Sequence, residues 1–175
     1  MRLFVALDLD ETVRANLKSY SAAIRDAAPD ARWVGEASFH VTLKFIGSCD
    51  SANLGSINQA LSLVHMPPIE VHVRDVGFFP SRGAARVFWA GVEARQELVR
   101  LAWDVDEQLA KLGIGREHAD YHPHITLARS GSGSPKRGPK DKANPRFHAL
   151  QEKLKSMPVP EFGSQTANED RKSVV

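Results

Sequence analysis

Two short segments stand out for the chemistry their side chains could do together. They are Phe39-His40-Val41-Thr42-Leu43-Lys44 and Pro123-His124-Ile125-Thr126-Leu127-Ala128, nearly half the chain apart. Side chains of a strand alternate between faces, so His and Thr at i and i+2 share one face. Val41, Leu43, Ile125 and Leu127 take the other and can pack beneath it. If both strands border one surface, two imidazoles and two hydroxyls converge there. That set suits a tetrahedral anion such as phosphate. The hydroxyls can donate to non-bridging oxygens, and the imidazoles can move protons at the attacking and leaving oxygens. An unperturbed imidazole pKa of about 6.5 makes both protonation states available near neutral pH. One ring can serve as base and the other as acid, each typically contributing about 10²–10⁴-fold. A lone His-x-Thr is most often only the polar face of a half-exposed strand. Its duplication in two strand-like segments favours chemistry.

The surrounding pattern supplies elements to position these residues. Residues 2–8 read as a buried strand. Asp10 is placed to cap a helix carrying Val13, Leu17, Tyr20, Ile24 and Ala28, which Pro29 stops. From Ser38 to Ile46 the period is two, with Phe39, Val41, Leu43 and Phe45 on one face and His40, Thr42, Lys44 and Ile46 on the other. A second helix carries Leu54, Ile57, Leu61 and Val64 and is closed by Pro67-Pro68. Strands follow at Ile69–Val76 and Arg86–Val92, around a turn containing Pro80, Ser81 and Gly83. A third helix holds Leu98, Leu101, Val105, Leu109 and Leu112, with Gly113 as its C-terminal cap. After the strand at His124–Leu127, residues 130–143 have the composition of a flexible basic loop. Asn144-Pro145 then opens a last helix with Phe147, Leu150 and Leu154. From Met157 the tail is Pro-rich and then polar, and no element is predicted there. Short turns between strands favour antiparallel pairing, and with it an α+β fold.

At 175 residues the chain is one domain, or one domain of two similar lobes. Folding at this length buries about 70% of the unfolded surface, so neither metal nor disulfide is required for stability. With 42% hydrophobic and 25% charged residues, a wholly disordered or coiled-coil chain is excluded. Cys49 is the only cysteine, which excludes a disulfide framework and a multi-cysteine zinc site. Asp8 and Asp10 arrive too early for the apolar region of a signal peptide, and no apolar run approaches the roughly 18 residues that span a bilayer. No membrane association and a cytoplasmic location are expected. A net charge of +2, from 23 Lys and Arg against 21 Asp and Glu, is too balanced to indicate nucleic-acid binding. A phosphate partner must be recognised by local groups.

In this wider context the sequence resembles the 2H phosphoesterases, and within them the RNA 2′,3′-cyclic phosphodiesterases, also called 2′-5′ RNA ligases. The likeness covers roughly residues 1–156. It includes Arg2-Leu3-Phe4-Val5-Ala6, Arg32-Trp33-Val34, His40-Val41-Thr42-Leu43-Lys44-Phe45-Ile46-Gly47 and Gly77-Phe78-Phe79-Pro80. It continues through Arg86-Val87-Phe88-Trp89-Ala90-Gly91-Val92 and Pro123-His124-Ile125-Thr126-Leu127-Ala128-Arg129. The resemblance implies a single bilobal domain over 1–175. Each pseudo-symmetric lobe would have an antiparallel sheet and flanking helices, with the active cleft between the lobes. It implies hydrolysis of RNA or nucleoside 2′,3′-cyclic phosphate to the 2′-phosphate without metal or cofactor, with 2′-5′ ligation as the reverse reaction. His40 would donate the proton to the leaving 3′ oxygen, and His124 would accept one from water. Thr42 and Thr126 would hold the phosphate oxygens, and Arg129 would add a charge-assisted contact. The partners implied are RNA with cyclic-phosphate ends or cyclic nucleotides, bound by a monomer. The family pattern ends in a strand containing Leu and Ser. The end here, from Phe162-Gly163-Ser164-Gln165, departs from it, so an edge strand of one lobe is expected to be incomplete. A sister activity on ADP-ribose cyclic phosphate or 2′-5′ oligonucleotides, and a binding module without turnover, are the alternatives.

Other features carry less. His118, His122 and His124 straddle a loop and a strand, without the carboxylates that would complete a metal shell. His65, His72 and His148 read as surface or packed residues. The Ser130–Ser134 stretch lacks the Gly-Lys-Ser/Thr ending of a phosphate-binding loop. Lys136, Arg137, Lys140 and Lys142 could attract an RNA backbone, or be a solvated loop. Among Trp33, Phe79 and Trp89 as stacking platforms for a base, Trp33 is favoured and Trp89 is expected in the core. Cys49 has no evident partner that would make it a nucleophile.

Overall fold

The computed structural model describes residues 2–131, 145–169 and 172–175. Their strands form two antiparallel sheets. The smaller has the order β3-β1-β8, with β1 at Arg2–Asp8, β3 at His40–Ser48 and β8 at Lys172–Val174. The larger has the order β2-β6-β5-β4-β7. Here β2 is Ala31–Trp33, β4 is Ile69–Phe79, β5 is Val87–Glu93, β6 is His124–Ser130 and β7 is Glu161–Ala167. The helices are α1 (Glu11–Ile24), α2 (Leu54–Ser62), α3 (Arg95–Ala110) and α4 (Pro145–Leu154). Antiparallel pairing throughout and the α+β class agree with the turn lengths read from the sequence.

Local chemistry accounts for most boundaries. The α-helical part of α1 ends at Ile24, earlier than Pro29 alone suggests, and a 3₁₀ turn over Arg25–Ala27 leads to the buried Ala28. α3 buries Leu98, Leu101, Val105 and Leu109. Its end is a glycine cap: Gly113 has φ +81°, and its N–H donates to the Ala110 carbonyl at 3.0 Å. Leu112, assigned to the buried stripe by spacing, is instead exposed beyond the last turn. β4 extends past Val76 through Phe79, because Phe78 and Phe79 pair with Phe88 and Val87. Phe78 also packs its ring on Phe147 of α4, which seats that helix on the larger sheet. The loop beyond Gly131 and the Asn144 cap lie outside the described residues.

The C-terminal segment corrects the sequence expectation. Instead of an irregular tail with a missing edge strand, β7 pairs with β4 and β8 pairs with β1, one strand in each sheet. The interruption falls between them. Lys172 Nζ donates to the carbonyls of Leu61 and Val64 at 3.0 Å each, fastening β8 to the end of α2 and the turn that follows it. Gln165, buried in β7, accepts from Asp10 N–H at 2.7 Å and donates from Nε2 to the Asp8 carbonyl at 2.9 Å. One amide thereby ties the larger sheet to the turn where β1 becomes α1. Gln165→Ala removes both bonds in a buried setting and should lower stability by about 1–3 kcal/mol. A urea midpoint unchanged from that of the unmutated protein would show that the tie contributes nothing.

Candidate active site

Each motif strand breaks its alternation at the same place, just after its threonine, and β3 breaks it a second time at Ile46. In β3 against β1, Thr42 faces Ala6 but Lys44 faces Val5. In β6 against β5, Thr126 faces Trp89 but Ala128 faces Phe88. The residue skipped is the leucine after the threonine, Leu43 or Leu127. A bulge of this kind reverses the faces of everything downstream. Lys44 therefore leaves the His40–Thr42 face and is buried at 2% exposure, contrary to strict alternation. There it pairs with Asp106 at 2.5 Å and donates to the Gly115 carbonyl at 2.5 Å. Phe45 moves the other way: it faces Phe4, whose ring stacks on His40 at 4.6 Å. Arg129 likewise faces Val87 and joins His124 and Thr126 on one face. An unbroken strand would have pointed it away.

The two histidines are held alike. His124 Nδ1 lies 2.7 Å from the His122 carbonyl. Since a carbonyl only accepts, Nδ1 carries the proton and the neutral ring keeps its lone pair on Nε2. His40 is hydrogen-bonded to the backbone of Ser38, again two residues upstream. An aromatic ring abuts each: Phe4 stacks on His40, and Phe79 meets His124 edge-on at 5.0 Å. Arg14 clamps the approach to β3, donating to the carbonyls of Glu36 at 2.7 Å and Phe39 at 3.0 Å. Tyr121 O–H, on the approach to β6, donates to the Thr42 carbonyl at 2.9 Å and joins the two motif strands.

Burial pushes both imidazoles below their usual value, and Arg129 adds to the depression of each. Arg129 thus stands within electrostatic reach of both motifs, which supports their convergence. The remaining charges differ. Asp8, directly across the ladder from His40, favours its imidazolium against a smaller opposing effect of Arg14, whereas His122 disfavours that of His124. His40 is therefore the better placed to carry a proton and His124 to stay neutral. Asp8 is a residue the motif search missed; its signal was its place at the end of the strand preceding the first helix.

The remaining candidates separate. Trp33 sits opposite Ala128 on the core face, edge-on to Phe88, with its indole N–H donating to Ala28 O at 3.0 Å. Trp89, expected in the core, lies on the Thr126 face across Gly77, where a Cβ would come within 2.3 Å of the indole. The Leu127 bulge carries Trp33 to the core face with Ala128, while the unbroken alternation of β5 buries Phe88 and Ala90 and leaves Trp89 on the opposite face. His72 pairs with Glu161 at 2.8 Å. Among the described residues no group of three His, Cys, Asp or Glu side chains could hold a metal ion, and no helix is long and apolar enough to cross a membrane.

Two sheets thus each contribute a His-x-Thr strand, and one arginine lies within electrostatic reach of both histidines. Comparisons with known proteins agree. The family model of the LigT-like phosphoesterases matches residues 7–89 and 91–175, one motif in each half. An RNA 2′,3′-cyclic phosphodiesterase of Archaeoglobus fulgidus is 37% identical over 129 residues, 74% of this chain and 72% of the relative. The enzyme of the same name from Methanocaldococcus jannaschii is 32% identical over 130 residues, 74% and 71% of the two chains. A crystal structure of a Thermus thermophilus protein superposes with TM-score 0.71 at 25% identity, over 100% of this chain and 94% of that one. Escherichia coli LigT, complexed with 3′-AMP, gives 0.73 at 23% identity, over 99% and 86%. The chain belongs to the LigT-like phosphoesterases, a family of 2H phosphoesterases.

With both histidines depressed, the state with one ring protonated and one neutral is most populated below about pH 6.5. The free-enzyme profile of kcat/KM should be a bell with its maximum on that acid side. Asp8→Asn removes the charge that favours protonated His40 and should move the alkaline limb to lower pH. A profile flat from pH 5 to 9, or limbs unmoved in Asp8→Asn, would contradict this electrostatic assignment.

Proposed function

We propose that the protein hydrolyses the 2′,3′-cyclic phosphate at the end of an RNA, or of a nucleoside, to the 2′-phosphate. The observation that carries this reading is the pair of equivalent His-x-Thr strands, each bulged after its threonine. The family relationship and the activity named for its relatives support it. Neutral His124 Nε2 takes a proton from water as the oxygen attacks phosphorus. The bond from phosphorus to O3′ breaks, and His40 supplies the proton that O3′ needs to leave as a hydroxyl. Thr42 and Thr126 donate to the non-bridging oxygens, and Arg129 offsets their charge. The proton gained by His124 and that lost by His40 exchange with solvent, restoring the starting state. The same sequence, with an RNA 5′-hydroxyl attacking phosphorus in place of water, forms a 2′-5′ phosphodiester as O3′ leaves, which is 2′-5′ ligation. Water, the more abundant acceptor, makes hydrolysis the dominant outcome.

We read residues 1–175 as one two-lobed domain, since Gln165 and β8 return the end of the chain to β1 and its turn. All the residues assigned here come from one chain, which is the reason to expect a monomer. An RNA substrate is the reason to expect action in the cytoplasm. Steady-state hydrolysis of 2′,3′-cyclic AMP with excess EDTA tests the reading. His40→Ala and His124→Ala should each lose about 10²-fold or more in kcat. Thr42→Ala and Thr126→Ala, each removing one hydrogen bond to a charged oxygen, should lose about tenfold. Near-normal activity in both histidine variants would remove the mechanism.

A further inference from the structure

A groove of about 520 Å³ opens beside the two motifs. Thr42 and His124 form one end, while Phe45, Phe79, Val99 and Trp103 are among its walls. This volume falls in the range that holds small organic ligands, about 300–1,000 Å³. Its apolar side chains are unusually open: Trp103 is 61% exposed, Phe45 58% and Val99 46%. On α3, Val99, Ala102, Trp103 and Asp106 fall at i, i+3, i+4 and i+7. They form a stripe beside the buried one of Leu98, Leu101, Val105 and Leu109. The helix thus has one apolar stripe for the core and a second, apolar except for Asp106, that lines this groove.

Phe45 is there for a structural reason. It occupies in β3 the place Arg129 occupies in β6, since each is the residue returned to the His–Thr face by the bulge. On one strand the position presents a cation, and on the other an aromatic ring. Among the described residues, the groove's ionised groups are acidic apart from the buried Lys44: Asp106, held by that lysine, with Glu117 and Asp120. Such a lining repels a phosphodiester backbone and leaves a neutral, flat, aromatic group as the fitting occupant.

We propose that this groove binds the base of the nucleoside whose cyclic phosphate lies at the histidines, stacked against Trp103 and Phe45. The inference rests on the functional reading above. Base–aromatic stacking tolerates all four bases, so the groove adds affinity without strong base selection.

The test compares 2′,3′-cyclic AMP with glycerol 1,2-cyclic phosphate, which has the same five-membered phosphate ring and no base. Trp103→Ala should raise KM for the nucleotide about tenfold with kcat little changed, and leave KM for the glycerol ester unmoved. Trp103→Phe should restore most of the loss. Equal effects on both substrates, or none on either, overturn the proposal. So does a Trp103→Ala variant that only dissociates a dimer in sedimentation. If the unmutated protein turns over neither ester, the functional reading fails, and the groove is judged separately by adenosine 2′-monophosphate. Fluorescence quenching absent in Trp103→Phe supports the base site, and equal quenching in both proteins overturns it.

Discussion

The register shift after each motif threonine is the constraint on which the site depends. A strand with strict alternation can offer His and Thr on one face, but its next two same-face positions would be Lys44 and Ile46, or Ala128 and Ser130. Skipping one leucine moves Lys44 and Ala128 out of that face and brings Phe45 and Arg129 into it. Without the shift in β6, the site would lack the arginine that both histidines sense. Without the shift in β3, a lysine would occupy the face that now presents an aromatic ring. The skipped leucines, Leu43 and Leu127, stay buried together with Val41, Ile125 and Ala128, so the change of face leaves the core filled.

Two similar halves would by themselves give two equivalent histidines, and an acid–base pair requires them to differ. Their immediate supports are alike: a backbone hydrogen bond from two residues upstream and an adjoining aromatic ring. The difference comes from other charges: Asp8, which outweighs Arg14 at His40, and His122 near His124. Arg129 depresses both rings and so does not distinguish them; in the proposed reaction its charge faces the phosphate oxygens. Phosphate binding would raise both pKa values by the same reasoning, since a nearby negative charge favours the imidazolium.

Much of this was legible in the residues themselves. The paired His-x-Thr strands, the glycine end of α3 and the antiparallel α+β class all follow from local periodicity and turn chemistry. What escaped follows from pairing between distant segments. Neither bulge leaves a mark within its own strand, so Lys44, Phe45 and Arg129 could not be assigned faces from alternation alone, and Trp33 fell on the core face for that reason. β7 and β8 have weak patterns. Gly163, Ser164 and Gln165 read as loop residues, yet Gln165 has partners 155 and 157 positions away that make it a buried tie. Asp8 became relevant only through its cross-strand neighbour, His40.

The central claim is that water opens the ring and O3′ leaves. Phosphorus NMR of a cyclic-phosphate-ended oligoribonucleotide, turned over in ¹⁸O-enriched water with excess EDTA, tests it most directly. The account predicts a 2′-phosphate as sole product, with the resonance shifted by the one ¹⁸O that entered, and no such product from the His40→Ala/His124→Ala double variant. A 3′-phosphate, an unchanged cyclic signal, or equal turnover by the double variant would contradict it.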